Sequence, residues 1–178
     1  DCIVQRGALI LNAPGSYRLQ GNYLTGLGQV AAQIVVNHAN ADLYVFGGNI
    51  TDSGLQSGDD PQDYSHVWAK AGRVQVFGTG VQRTRGFADF RIDAPTVVGR
   101  PHQIINVRSE GNNGGTGGGS AFVYSAPSRH AVDVDIINSA GLWALSGAHR
   151  SAFAVYNAAG TIRLIGNTAS QGAGELVV

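Results

Sequence analysis

Two aspartates spaced two residues apart, Asp133 and Asp135 in the run AVDVDIINS, are the side chains of this sequence best suited to moving protons. Alternation along an extended strand turns both to one side. Glu110 and Arg108, in QIINVRSEG, add a carboxylate and a cation from the matching part of another segment. Carboxylates gathered on one surface can divide general acid and general base work in glycoside cleavage. They can also hold Ca²⁺ for an elimination, with Arg108 or Arg163 as the basic partner. The same residues also form an exposed ladder of ion pairs, each contributing about 0.2–1 kcal/mol and catalysing nothing. Sequence alone fixes no catalytic residue.

Other chemistries find less support. His38, His66, His102, His130 and His149 have no i, i+4 partner and no companion cysteines, so no zinc site is expected. Asp52, Asp59, Asp60 and Asp63 share the polar stretch TDSGLQSGDDPQDY and could chelate Ca²⁺, but they lack the glycine and terminal glutamate of an EF-hand loop. A solvated loop is the plainer reading. The Gly-dominated run EGNNGGTGGGS has neither the lysine nor the following helix of a phosphate cradle. Ser, His and Asp are too scattered to assemble a triad by inspection.

The elements that must position these residues come from a repeat. ADLYVFGGNI (41–50) returns in reworded form as SYRLQGN, GRVQVFGTGV, QIINVRSEG, AVDVDIINS and TIRLIGNTAS. Aligned on the apolar residue before the turn, the markers are Leu19, Val45, Val76, Val107, Val134 and Leu164, with separations of 26, 31, 31, 27 and 30. Apolar residues alternate around each marker, so each unit is a short strand with one buried face. A strand that recurs once per turn of chain buries that face only against its own copies, as in a stacked solenoid. The expectation is an all-β, single-stranded right-handed parallel β-helix of about six coils, one domain over 1–178, with insertions near 51–64, 83–103 and 110–120. Aligned this way, Arg108 sits over Asp135, and Asp133 lies between Asn106 and Arg163.

Composition agrees. The chain has 178 residues, 12 basic against 12 acidic, and only 13% charged residues, so no global field points to nucleic acid or an anionic membrane. Glycine, at 26 residues, gathers at the ends of apolar runs as turn punctuation. No run reaches the length of a membrane span. The single Cys2 allows a free thiol or an intermolecular bond, and a start at Asp1 without Met suggests a processed product.

The series APGSYRLQGN followed by IVVNHANADLYVFGGNI resembles the opening coils of bacterial and phage right-handed parallel β-helix proteins of the pectate-lyase-like superfamily. That resemblance covers most of the chain. It implies the fold more than the activity, since the superfamily holds lyases, hydrolases, epimerases and non-catalytic spikes. Phe46 and Phe77, one repeat apart, and Ile165 farther along face outward by alternation, and three large apolar groups on an outer wall call for a cover. Either the excursion holding Phe87, Phe90 and Arg91 folds over them, or identical chains associate there, as spikes do in trimers. Phe87, Phe90 and Arg91 could instead face a sugar ligand. The leading expectation is a non-catalytic module of a virion spike, capsid decoration or extracellular surface protein, homotrimeric and facing a receptor or glycan. A polysaccharide lyase or glycoside hydrolase and a carbohydrate-binding module are the alternatives. No cofactor beyond a possible Ca²⁺ is expected.

Overall fold

A computed structural model describes residues 3–5, 7–25, 32–51, 65–82, 88–97, 99–110, 121–124, 132–142 and 160–169. After β1 (Ile3–Gln5), the strands come in triplets. They are β2 (Leu9–Leu11), β3 (Gly15–Gln20) and β4 (Tyr23–Thr25), then β5 (Ala32–Val36), β6 (Ala41–Phe46) and β7 (Asn49–Thr51). Next are β8 (Ser65–Ala69), β9 (Arg73–Phe77) and β10 (Gly80–Gln82), then β11 (Ala88–Ile92), β12 (His102–Ile105) and β13 (Arg108–Glu110). β14 (Ala121–Tyr124), β15 (Val134–Ile137) and β16 (Ala140–Leu142) precede β17 (Ile162–Ile165) and β18 (Thr168–Ala169). Each triplet supplies one strand to each of three parallel sheets. The first wall is β2-β5-β8-β11-β14, the second β3-β6-β9-β12-β15-β17, and the third β1-β4-β7-β10-β13-β16-β18. The fold is all-β, a parallel β-helix, with no helix among the described residues.

The corner between the second and third walls explains why the coils stack in register. Each passes through a left-handed residue, Gly21, Gly47, Gly78, Asn106, Asn138 or Gly166, with φ between 48° and 63°, and the Gly47 corner adds Gly48 at 78°. Only glycine, and asparagine after it, adopts that backbone at small cost. The N–H groups of the first five donate to the carbonyls of Phe46, Phe77, Ile105, Ile137 and Ile165 at 2.8–2.9 Å. The ladder therefore continues around the bend.

The inward column of the second wall is Leu19, Val45, Val76, Ile104, Ile136 and Leu164. Its four middle members are at most 3% exposed. Two expected markers belong elsewhere. Val107 lies beyond the left-handed Asn106, stacked between Thr79 and Ser139 as the backbone bonds to Arg108 and Ala140 show. Val134 occupies the neighbouring inward column, between His102 and Ile162. Both are buried, so the hydrophobic pattern was read correctly but the position along it was not.

The insertions also need redrawing. Residues 52–64 and 111–120 join the third wall to the next first wall and lie outside the described residues, with Asp52, Asp59, Asp60 and Asp63 among them. The stretch 83–103 is not one excursion, because β11 inside it is a wall strand paired with β8 and β14. What departs from the wall is the nine-residue connection from Asp93 to Pro101, where the other described first-to-second-wall corners take three or four residues.

Candidate functional site

The second wall carries a continuous outward row of apolar side chains. The outward row next to the left-handed corner reads Gln20, Phe46, Phe77, Ile105, Ile137 and Ile165 from coil to coil. Five consecutive apolar side chains at about 4.8 Å per coil make a stripe roughly 19 Å long. Phe46 is 36% and Ile165 48% exposed, and the three between are half-buried by their own neighbours. The Phe46 and Phe77 rings stack at 5.2 Å with an 11° tilt, and Tyr44 lies 6.4 Å from Phe46, nearly parallel. Sequence reasoning placed Phe46, Phe77 and Ile165 here; Ile105 and Ile137 were missed because the displaced markers put Arg108 and Asp135 in their places.

The acid–base candidates do not converge. Asp135 belongs to the adjacent outward row with Arg18, Tyr44, Gln75, Gln103 and Arg163. Its carboxylate accepts a two-pronged contact from Arg163, Nε at 3.0 Å and Nη2 at 2.6 Å. Asp133 precedes β15, and its Oδ1 accepts the Thr161 N–H at 2.7 Å. Arg108 does not cover Asp135: it is on the third wall, paired with Glu110, which also accepts from Gln82 at 3.2 Å. Each carboxylate is engaged, two on one wall and one on another. An acid–base pair needs two that face one substrate.

The first wall changes the picture for the other candidates. Phe90 turns inward beneath the wall, stacked on Val67 at 1% exposure, and is closed to any ligand. Arg91 points outward beside Trp68, with its guanidinium 4.3 Å from the ring centroid. Phe87 lies outside the described residues. At the start of the same strands runs a buried polar line that sequence reasoning did not assemble. Ser109 Oγ donates to Asp89 at 2.6 Å, His66 Nε2 is 3.6 Å from Asp89, and His66 Nδ1 lies 3.2 Å from Gln33 Oε1. Serine, aspartate and histidine meet, but the carboxylate sits between the other two and all are sealed from solvent. A nucleophilic triad needs the imidazole in the middle and an open face. Burial drives the His66 pKa down to about 3, so the ring is neutral.

The long connection from Asp93 to Pro101 forms a concavity over the start of β9 on the second wall. It folds back as a strap: Arg100 donates to Asp42 at 2.6 Å, Thr96 Oγ1 accepts the Asp133 N–H at 2.6 Å, and Arg73 Nε donates to the Pro101 carbonyl at 2.9 Å. Beneath it lies a cavity of about 30 Å³ lined by Asp42, Arg73, Thr96, Arg100 and His102 among others. Burial, then the neighbouring Arg100, lowers the Arg73 pKa. Burial likewise brings His102 down to about 4, leaving it uncharged.

Fold and surface together define a parallel β-helix with a packed aliphatic interior and outward side-chain rows on its walls. Compared with protein-family models, curated proteins and solved structures, the chain matches none. Among the described residues no cluster of His, Cys, Asp and Glu is placed to hold a metal ion, and no helix is long and apolar enough to cross a membrane.

Proposed function

We propose that this chain is a rigid, non-catalytic β-helix module of a virion spike, capsid decoration or other extracellular surface protein, which associates side by side with copies of itself and presents a glycan- or receptor-facing wall. The observation that carries this reading is the uninterrupted stripe Phe46, Phe77, Ile105, Ile137 and Ile165. Burying one such side chain contributes about 1.5–3 kcal/mol. A stripe repeated in every copy supplies enough to offset the loss of free motion without many charges. Its resemblance to the pectate-lyase-like superfamily, which includes trimeric phage spikes, supports the same arrangement.

Register favours copies that run parallel. With helix axes aligned, each level meets its own kind, Phe against Phe and Ile against Ile. An antiparallel pair would set Gln20 against Ile165 and, in the next row, Arg18 against Arg163, pairing amide with aliphatic and like charges with each other. Parallel copies place the symmetry axis along the helix, and the resemblance to the spikes supports three-fold order.

The test is light scattering on the parent and on the double variant Phe46→Ser, Phe77→Ser. The parent is expected at about three times the chain mass and the variant at the chain mass. A parent that stays monomeric at high concentration, or a variant that keeps the oligomeric mass, overturns the reading.

A further inference from the structure

The strap corner has more donors than its own chain uses. Arg73 spends Nε on Pro101 and Nη2 on Gln103, at 3.4 Å, while Arg100 spends one nitrogen on Asp42. Among the described residues, the other guanidinium nitrogens of both have no acceptor. With His102 neutral, two positive charges meet one carboxylate, Asp42, in the cavity lining. A volume of about 30 Å³ holds two water-sized groups, the size of the two oxygens of a carboxylate.

We infer that the strap corner is a subsite for the carboxylate of an acidic sugar residue, clamped by Arg73 and Arg100. This rests on the glycan-facing half of the function proposed above and is independent of self-association. Two guanidiniums suit a planar two-oxygen anion better than a hydroxymethyl group, which brings no charge to neutralise them.

The experiment is calorimetric titration of the intact chain at low salt with a β-1,4-linked glucuronate hexamer and with cellohexaose, which differs only in carrying hydroxymethyl groups in place of carboxylates. The acidic hexamer is expected to bind at least about tenfold more tightly. Arg73→Gln and Arg100→Gln should each remove that advantage, while Lys70→Gln, just past the end of β8 and over Trp68, leaves it. The Arg100 side chain is 49% exposed, so its replacement keeps the fold even if the Arg73 change does not. Equal binding of cellohexaose, unchanged affinity in folded Arg100→Gln, or displacement of the hexamer by acetate at equal carboxylate concentration overturns the inference and leaves the glycan-facing reading standing. Binding of neither hexamer overturns both.

Discussion

The first and second walls are built from the same kind of strand in the same parallel register, yet they finish their outer faces in opposite ways. On the first wall Trp68 is closed over by its own chain: the Lys70 ammonium lies 3.8 Å and the Arg91 guanidinium 4.3 Å from the ring centroid. Asp93 fastens the group, accepting from Trp68 Nε1 at 2.8 Å and Arg91 Nε at 2.9 Å. On the second wall Phe46 and Phe77 stack only on each other and on Tyr44, with aliphatic side chains continuing the row. An aromatic ring on a solenoid wall can be covered by cations from its own coils or left open to solvent, and this chain covers Trp68 and leaves Phe46 36% exposed.

The contrast breaks most plainly at two neighbouring residues. Val76 points inward at 0% exposure and Phe77 outward. Val76→Asp buries an unpaired carboxylate in an aliphatic column, a loss above about 4 kcal/mol that should leave no cooperative thermal transition. Phe77→Ser together with Phe46→Ser should abolish the oligomer while the isolated chain still melts cooperatively. If the serine variant unfolds as the aspartate variant does, the outer row is core and the comparison fails.

Acid pH tests both walls at once, because each hides a histidine, His66 on β8 and His102 on β12. Both are held neutral by burial, with pKa values of about 3 and about 4 against an ordinary 6.5. The unfolded chain therefore binds more protons below 6.5, so stability is full above that pH and declines as pH falls toward 4 and then 3. His102→Val, which matches Val74 and Val134 in its column, should roughly halve the slope of stability on pH in that window. A midpoint unchanged between neutral and mildly acidic buffer would contradict the burial of both rings. A smaller effect is expected from Trp68→Ser, which should cost about 1–3 kcal/mol through lost packing and cation–π contacts and leave the oligomeric mass untouched. A change in mass would place the first wall in the interface too.

How much of this was legible can be judged residue by residue. Alternation disclosed the strands, and the recurrence of Gly-Gly, Gly-Thr and Gly-Asn after an apolar run disclosed the corner. Register was lost where asparagine replaces glycine at that corner. Taking Asn106 and Asn138 as equivalents of Gly47 and Gly78, since both types tolerate left-handed backbone, would have given Ile104 and Ile136 as markers and completed the stripe with Ile105 and Ile137. The subsite under the strap was not legible. It joins Asp42, Arg73, Thr96 and Arg100 from three turns of the chain, and no spacing rule relates a strap to the coil it folds over. The same holds for Ser109, Asp89 and His66, which meet only because two walls share a corner.

The smallest expected effect concerns Asp135, where the second wall covers a charge with a charge of its own. The Arg163 guanidinium meets the carboxylate in a two-pronged contact, but its side chain is 56% exposed while that of Asp135 is 7% exposed. Water around the arginine screens the pair, so its contribution falls in the range for surface ion pairs, about 0.2–1 kcal/mol. Asp135→Asn keeps the shape and the acceptor oxygen and removes only the charge. Chemical denaturation should show a loss of that size at low salt, shrinking as salt is raised toward a Debye length of about 3 Å at 1 M. The same variant decides whether the outer carboxylates do chemistry. Acidic and neutral polysaccharides incubated with the parent are expected to yield no new reducing ends and no ultraviolet-absorbing unsaturated products. Turnover by the parent that Asp135→Asn abolishes, with its melting curve otherwise preserved, would make Asp135 a catalytic residue and the second wall an active site rather than a binding surface.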